Sequence, residues 1–243
     1  MNLLEDIDSY LEAMKDIQES INQLQGEKFL KNHKKTLLFS LIETISKGVY
    51  GDKYPMNFTR FEKFIMEFCE WEEVKRVSLQ QLALLLEKTK DHEFPRLKKH
   101  VLYHLTQYPE ASAVSFSYDS TVEEIKELMP KGETTINGVD IYSLTHINLL
   151  WKYRNSLVHE ARSIGSIELF EFVEYPHYVH FTMLDKDGNW EVWKIFYPLQ
   201  FFNNLVDTAL VNVREKLIEN EQDPRVNYDF DQLWIKPRKK KIE

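Results

Sequence analysis

Arg154 and His159 stand five positions apart in the stretch Trp151-Lys152-Tyr153-Arg154-Asn155-Ser156-Leu157-Val158-His159-Glu160-Ala161-Arg162. A guanidinium does not lose its proton and is costly to bury without an anion beside it, so Arg154 calls for a carboxylate or a phosphate. Histidine is the side-chain type that gives and takes protons near neutral pH. Brought together, the two have the makings of a metal-free phosphodiester-cleaving site. Upstream, Ile141, Leu144, Ile147, Leu150 and Trp151 recur at spacings of three and four. That period predicts one buried face of a helix beginning near Asp140, and Arg154 falls on the same face.

Five residues of unbroken helix leave two side chains pointing about 140° apart. A single continuous helix is therefore not expected to bring Arg154 and His159 into one compact site. Either the helix bends after Arg154, or two copies of the chain complete the site across a two-fold interface, where each residue faces its own copy.

Arg154-Asn155-x-x-x-His159 resembles the R-(polar)-x-x-x-H signature of HEPN domains. This α-helical family includes toxin ribonucleases, anti-phage ribonucleases and the nuclease domains of RNA-guided type VI CRISPR effectors. Asn at the second position, Glu160 after the histidine and placement near the end of an amphipathic helix strengthen the likeness, which is specific over residues 141–162 and architectural elsewhere. The resemblance implies a homodimer whose two motifs line one cleft. In it the RNA 2′-hydroxyl would attack the adjacent phosphate, leaving a 2′,3′-cyclic phosphate and a 5′-hydroxyl. His159 would move protons, Arg154 would stabilise charge on the phosphorane oxygens, and Asn155 would orient the histidine or bind phosphate. Lys152, Ser156, Glu160 and Arg162 would line the substrate path, unless Glu160 serves only to keep the surface soluble. No metal or cofactor is implied. The same resemblance carries a role as a toxin or in anti-phage defence, with an antitoxin or a nucleotidyltransferase-like protein as partner. The alternative is a non-catalytic HEPN-like module that binds RNA, a nucleotide or another protein.

Composition narrows the classes. With 243 residues, 43% of them apolar, the chain can bury a full core, and its seven glycines and eight prolines suit helices more than a turn-rich β protein. A net charge of −8 argues against a broad basic surface gripping long nucleic acid, though not against a small basic pocket. Cys69 is the single cysteine, which rules out an intramolecular disulfide and fits a reducing compartment. No signal peptide and no membrane span is read, so a cytoplasmic protein is expected.

A mainly α fold follows: an HEPN-like helical bundle with one β-hairpin between the motif helix and the last long helix. One domain over 1–243 is expected, with residues 1–25 as a decorative heptad helix and 222–243 as a polar, basic tail. Leu3, Ile7, Tyr10, Met14, Ile17, Ile21 and Leu24 form the heptad seam. That seam faces either the core or a partner helix, which would make the chain a helical binding protein. A second helix is read over about 28–47, with Lys31, Lys34 and Lys35 outside and Gly48 as its C-cap. Val49–Asn57 reads as a loop. Phe58, Phe61, Phe64, Ile65 and Phe68 make an aromatic helical stripe. Ser78-x-x-Gln81 and Ser120-x-x-Glu123 have the form of helix-opening caps. Pro95 opens a helix to about Tyr108, and 109–119 and 130–138 read as loops. His177–Leu184 and Trp190–Tyr197 are strand-like, and Pro198 starts a helix that buries Phe202, Val206, Ala209, Val213 and Leu217.

The other chemistry-bearing residues read more plainly. His100 and His104 share a helix face at a spacing that can chelate zinc, yet no third ligand is evident, so a polar surface or an RNA-contacting patch is favoured. His177 and His180 should point to opposite sides of a strand. Asp185–Asn189 lacks the spacing of a calcium loop and reads as a turn. Cys69, on an aromatic helix, is read as a small hydrophobe. The basic clusters Lys31–Lys35 and Lys236–Lys241 read as solvated charge, the second with the alternative of holding RNA electrostatically.

Overall fold

A computed structural model gives the fold, describing residues 2–109, 113–164, 173–185 and 188–228, with the backbone alone for 183–185 and 188–192. Helix α1 spans Leu3–Gln23 and opens on a capping box: Asn2 accepts from the Glu5 N–H while the Glu5 carboxylate accepts from the Asn2 N–H. Its inner face buries Ile7, Tyr10, Leu11, Met14 and Ile21 in the main core, whereas Ile17 and Leu24 are exposed. The seam is thus covered by the chain's own helices, and α1 belongs to the bundle.

Helix α2 (Leu30–Tyr50) is the central element, touching α1, α3 (Asn57–Phe68), α7 (His146–Glu160) and α8 (Leu199–Glu219). It runs past Gly48, and the cap falls on Gly51 at φ +55°. Gly48 lies inside the helix because the Tyr10 and Tyr228 hydroxyls sit where a side chain would go. Lys35 is buried rather than outside, its ammonium 6.0 Å from the Tyr153 ring centre. In α3, Phe61, Phe64, Ile65 and Phe68 are buried and Phe58 is half-buried. Cys69, just after it, is buried, and burial pushes its thiol pKa well up. Helix α8 buries the expected Phe202, Val206, Ala209, Val213 and Leu217.

A second apolar cluster lies beside the first. It joins α4 (Leu79–Leu86), α5 (Pro95–Thr106), α6 (Val122–Leu128) and a small hairpin of β2 (Thr135–Ile136) and β3 (Val139–Asp140); Leu105 packs against both clusters. The hairpin replaces part of the loop read over 130–138. Its turn, Asn137-Gly138, has both residues at positive φ, the geometry that Asn-Gly adopts best. Ser78 caps α4 by accepting from the Gln81 N–H, as its spacing suggests. The cap of α6 is displaced by one residue: Thr121 and Glu124 form the reciprocal box, while Ser120 is buried against His100. Both registers satisfy the four-residue pattern, and the tertiary contact of Ser120 selects between them.

The motif helix α7 starts at His146, not near Asp140. Residues Ile141–Leu144 form a 3-10 turn whose apolar side chains join the second cluster, while Ile147 and Leu150 join the first. The expected continuous stripe is therefore two stripes in two cores. Strands β4 (His177–Asp185) and β5 (Gly188–Phe196) form the expected antiparallel hairpin between α7 and α8, and β1 (Val114–Ser115) adds a short third strand at the β4 edge. His177 is buried and His180 half-buried, in keeping with opposite faces. The segment after α8 is not wholly a tail. Pro224–Asn227 forms a 3-10 turn docked on α1 through Arg225–Asp6 and the Tyr228–Tyr10 hydroxyl pair at 2.8 Å, and on α2 through the Asn227 amide, which donates to the Gly48 carbonyl at 2.7 Å. Lys236–Lys241 and the centre of the Asp185–Asn189 turn lie outside the described residues.

Candidate functional site

Helix α7 is anchored by Ile147, Leu150, Tyr153 and Leu157, all buried. One flank carries Trp151, whose ring packs on Phe58 and Phe61 of α3 at 5.6 and 5.2 Å between centres. The Arg154 guanidinium lies over that indole, 4.9 Å from its centre, a cation–π contact that the electron-rich face favours. Its Nη2 donates to Glu43 Oε2 of α2 at 2.8 Å, and its Nη1 faces both Asn155 Oδ1 and His159 Nε2 at 3.2 Å. The Arg154 side chain is 11% exposed and that of Glu43 22%, while His159 stands in solvent.

Arg154 and His159 therefore meet within one chain and on one unbroken helix, contrary to the expectation drawn from helical phase. No bend and no second copy is needed to join them. Phase fixes where Cβ atoms point, and a long side chain can lie across the helix surface. The axial gap between the two positions, about 7.5 Å, is spanned by the two side chains, which meet at 3.2 Å. Arginine has no acceptor, so His159 Nε2 must accept in this contact. That places an imidazole proton, when there is one alone, on Nδ1.

The remaining expected site residues fall elsewhere. Lys152, Ser156 and Glu160 follow one another at intervals of four along a different stripe of α7. Ser156 is buried, and its hydroxyl donates to the Arg162 carbonyl at 2.7 Å, closing the end of the helix where Ala161 turns left-handed. Glu160 pairs with Arg162 at 2.7 Å in solvent; that hydrogen bond first, and the charge of Arg162 after it, lowers the Glu160 pKa. Ser156, Glu160 and Arg162 form a helix-end clasp, and they do not converge on the Arg154–His159 pair. Asn155 bonds to Arg154 and not to His159.

No family model, curated protein or solved structure matches this chain.

Two groups of functional weight escape a reading by spacing. Glu43 lies 111 residues from Arg154, and its partnership leaves a trace only after folding. The other group surrounds Asp119. Its Oδ1 accepts from the Leu79 N–H and the Tyr108 hydroxyl, both at 3.0 Å, and its Oδ2 from His146 Nε2 at 2.7 Å and the Tyr178 hydroxyl at 2.5 Å. Burial, with the charge of Asp119 behind it, raises the pKa of both phenols and keeps them as donors. An aspartate–histidine pair resembles catalytic machinery, but both side chains are fully enclosed. With both enclosed, this constellation ties Tyr108, Asp119, α4, α7 and β4 together.

His100 and His104 do share a face, with ring centres 4.2 Å apart, and Ser120 bonds to the first at 2.8 Å. Desolvation and then the neighbouring His104 lower the His100 pKa, with Glu124 opposing them. Among the described residues no group of three or more His, Cys, Asp or Glu side chains is arranged to hold a metal ion, and no helix is long and apolar enough to cross a membrane.

Proposed function

We propose that the chain is a metal-independent endoribonuclease of HEPN type, acting at Arg154, Asn155 and His159. The observation that carries this reading is the 3.2 Å approach of a guanidinium to an imidazole that stands in solvent on a helix anchored in the core by Ile147, Leu150, Tyr153 and Leu157. A scissile phosphate entering from solvent would take the Nη1 donor and free His159 Nε2. That lone pair could then accept the 2′-hydroxyl proton as the oxygen attacks phosphorus. Arg154 would meet the charge that builds on the phosphorane oxygens, already aimed and already desolvated by Trp151. Asn155, bonded to Arg154, would hold the guanidinium in register. As that bond forms the P–O5′ bond breaks, and the proton held by His159 passes to the departing 5′-oxygen, giving a 2′,3′-cyclic phosphate and a 5′-hydroxyl. A homodimer would set two such pairs across one cleft, and a toxin or defence role rests on the resemblance of residues 141–162 alone.

The test is incubation of the purified protein with mixed RNA in EDTA, scoring cyclic-phosphate ends. His159→Ala and Arg154→Ala are each expected to lower the rate by about 10²-fold or more. Equal background from wild type and both variants would remove the enzyme. That outcome would favour the second reading, a non-catalytic module in which Arg154 serves structure through its 2.8 Å ion pair with Glu43.

A further inference from the structure

Arg154 is under-supplied with room for a phosphate. Of its five N–H groups, those on Nη1 face Asn155 and His159, and one on Nη2 is held by Glu43. One face of the plane is covered by Trp151. The nitrogen Nε is buried and unpartnered, and so is the second carboxylate oxygen of Glu43, Oε1. A carboxylate and a guanidinium can join through two parallel bonds, yet here one bond forms and a donor and an acceptor are left buried beside it. Such a half-satisfied pair pays the desolvation of both charges without the full return, which makes it exchangeable for another anion.

We propose that Glu43 is a built-in counter-ion that restrains Arg154, and that an RNA phosphodiester must displace it in order to bind. The Glu43 side chain is 22% exposed, so part of it already meets solvent. The phosphate then takes the place of Glu43 on Nη2 and spans to Nη1, releasing His159 from it, so that the guanidinium stays neutralised throughout. Glu43 thus sets the affinity of the resting site rather than the chemical step. This inference rests on the reading of Arg154 as the phosphate-binding group.

The experiment measures binding of a fluorescein-labelled 2′-O-methyl RNA oligonucleotide, which lacks the attacking hydroxyl and cannot be cleaved. Glu43→Gln preserves the shape of the side chain and removes its charge; it is expected to bind at least threefold tighter than wild type. Glu43→Ala should move affinity in the same direction and replaces the Gln variant if that one fails to fold, as judged by thermal melting. In an Arg154→Gln background the gain should vanish. Unchanged or weaker binding by the Glu43 variants, no binding by any form, or a gain that persists without Arg154 would each overturn the proposal. Cleavage by wild type in EDTA is scored separately. Tighter binding without cleavage would keep the counter-ion and discard the nuclease; cleavage with unaltered binding would do the reverse.

Discussion

Asp119→Ala is the substitution for which the structure gives the largest expected loss of stability. It removes an enclosed carboxylate that accepts four hydrogen bonds, from the Leu79 N–H, Tyr108, His146 and Tyr178. Alanine would take the acceptor away from all four donors; Tyr178 alone has another, Ser78 Oγ at 2.8 Å. A stranded buried donor costs about 1–3 kcal/mol. The four losses share one site and do not add, so about 4 kcal/mol is expected, against a total stability of about 5–15 kcal/mol for a domain. In a chain of this length that corresponds to a fall of about 10–15 °C in Tm. Asp119→Asn should cost about 1–2 kcal/mol: its oxygen can still serve Leu79 and Tyr108. Its amide can donate to His146 Nε2 if the imidazole proton moves to Nδ1, which is buried and has no partner of its own. Thermal and urea unfolding, followed by far-ultraviolet circular dichroism, measures both. Asp119→Ala melting within 2 °C of wild type would refute the reasoning, as would an Asn variant less stable than the Ala one.

Two further outcomes follow from geometry. Gly48→Ala should destabilise by about 1–3 kcal/mol despite the better helix propensity of alanine, because the new methyl would collide with the Tyr10 hydroxyl and lie 3.0 Å from that of Tyr228; urea unfolding that shows a stabilised variant would contradict the packing described. The Glu160 carboxyl should titrate below the ordinary glutamate range, through its bond with Arg162. A lowered folded-state pKa means that its contribution is present above the ordinary value and fades as pH falls through the folded one. Carbon-13 NMR titration should show the midpoint rising toward the ordinary value in Arg162→Ala; an unmoved midpoint would count against the clasp.

Much of the scaffold is written in local periodicity. The inner faces of α3 and α8, the hairpin of β4 and β5, and the Ser78 cap each depend on residues within a few positions of one another, so spacing suffices. Elements that depend on distant neighbours are not legible in this way. Gly48 reads as a stop, but the helix continues through it because α1 and the 224–228 segment press their tyrosines against the glycine. Lys35 reads as surface and is buried against Tyr153. The 3-10 turn at 141–144 carries the helical spacing of α7 while its side chains enter a different core. The Asp119 constellation draws on residues 78–178 with no motif among them, because hydrogen bonds between separate elements impose no sequence period.

The site itself shows where helical arithmetic reaches its limit. Angular phase sorts short apolar side chains reliably, since their contacts lie close to the Cα–Cβ direction. An arginine places its charge several bonds away, and what fixes that charge is the set of partners its donors find. Here those partners are Trp151 three residues before, Asn155 next to it, His159 five residues on and Glu43 on another helix. Three of the four are written within the motif stretch, which is why the pairing of Arg154 with His159 could be anticipated while its geometry could not. The fourth comes from tertiary structure and holds the guanidinium at 2.8 Å. Residue types at a given spacing therefore indicate which partners lie within reach of one another; which carboxylate the guanidinium meets is settled by the packing of α2 against α7.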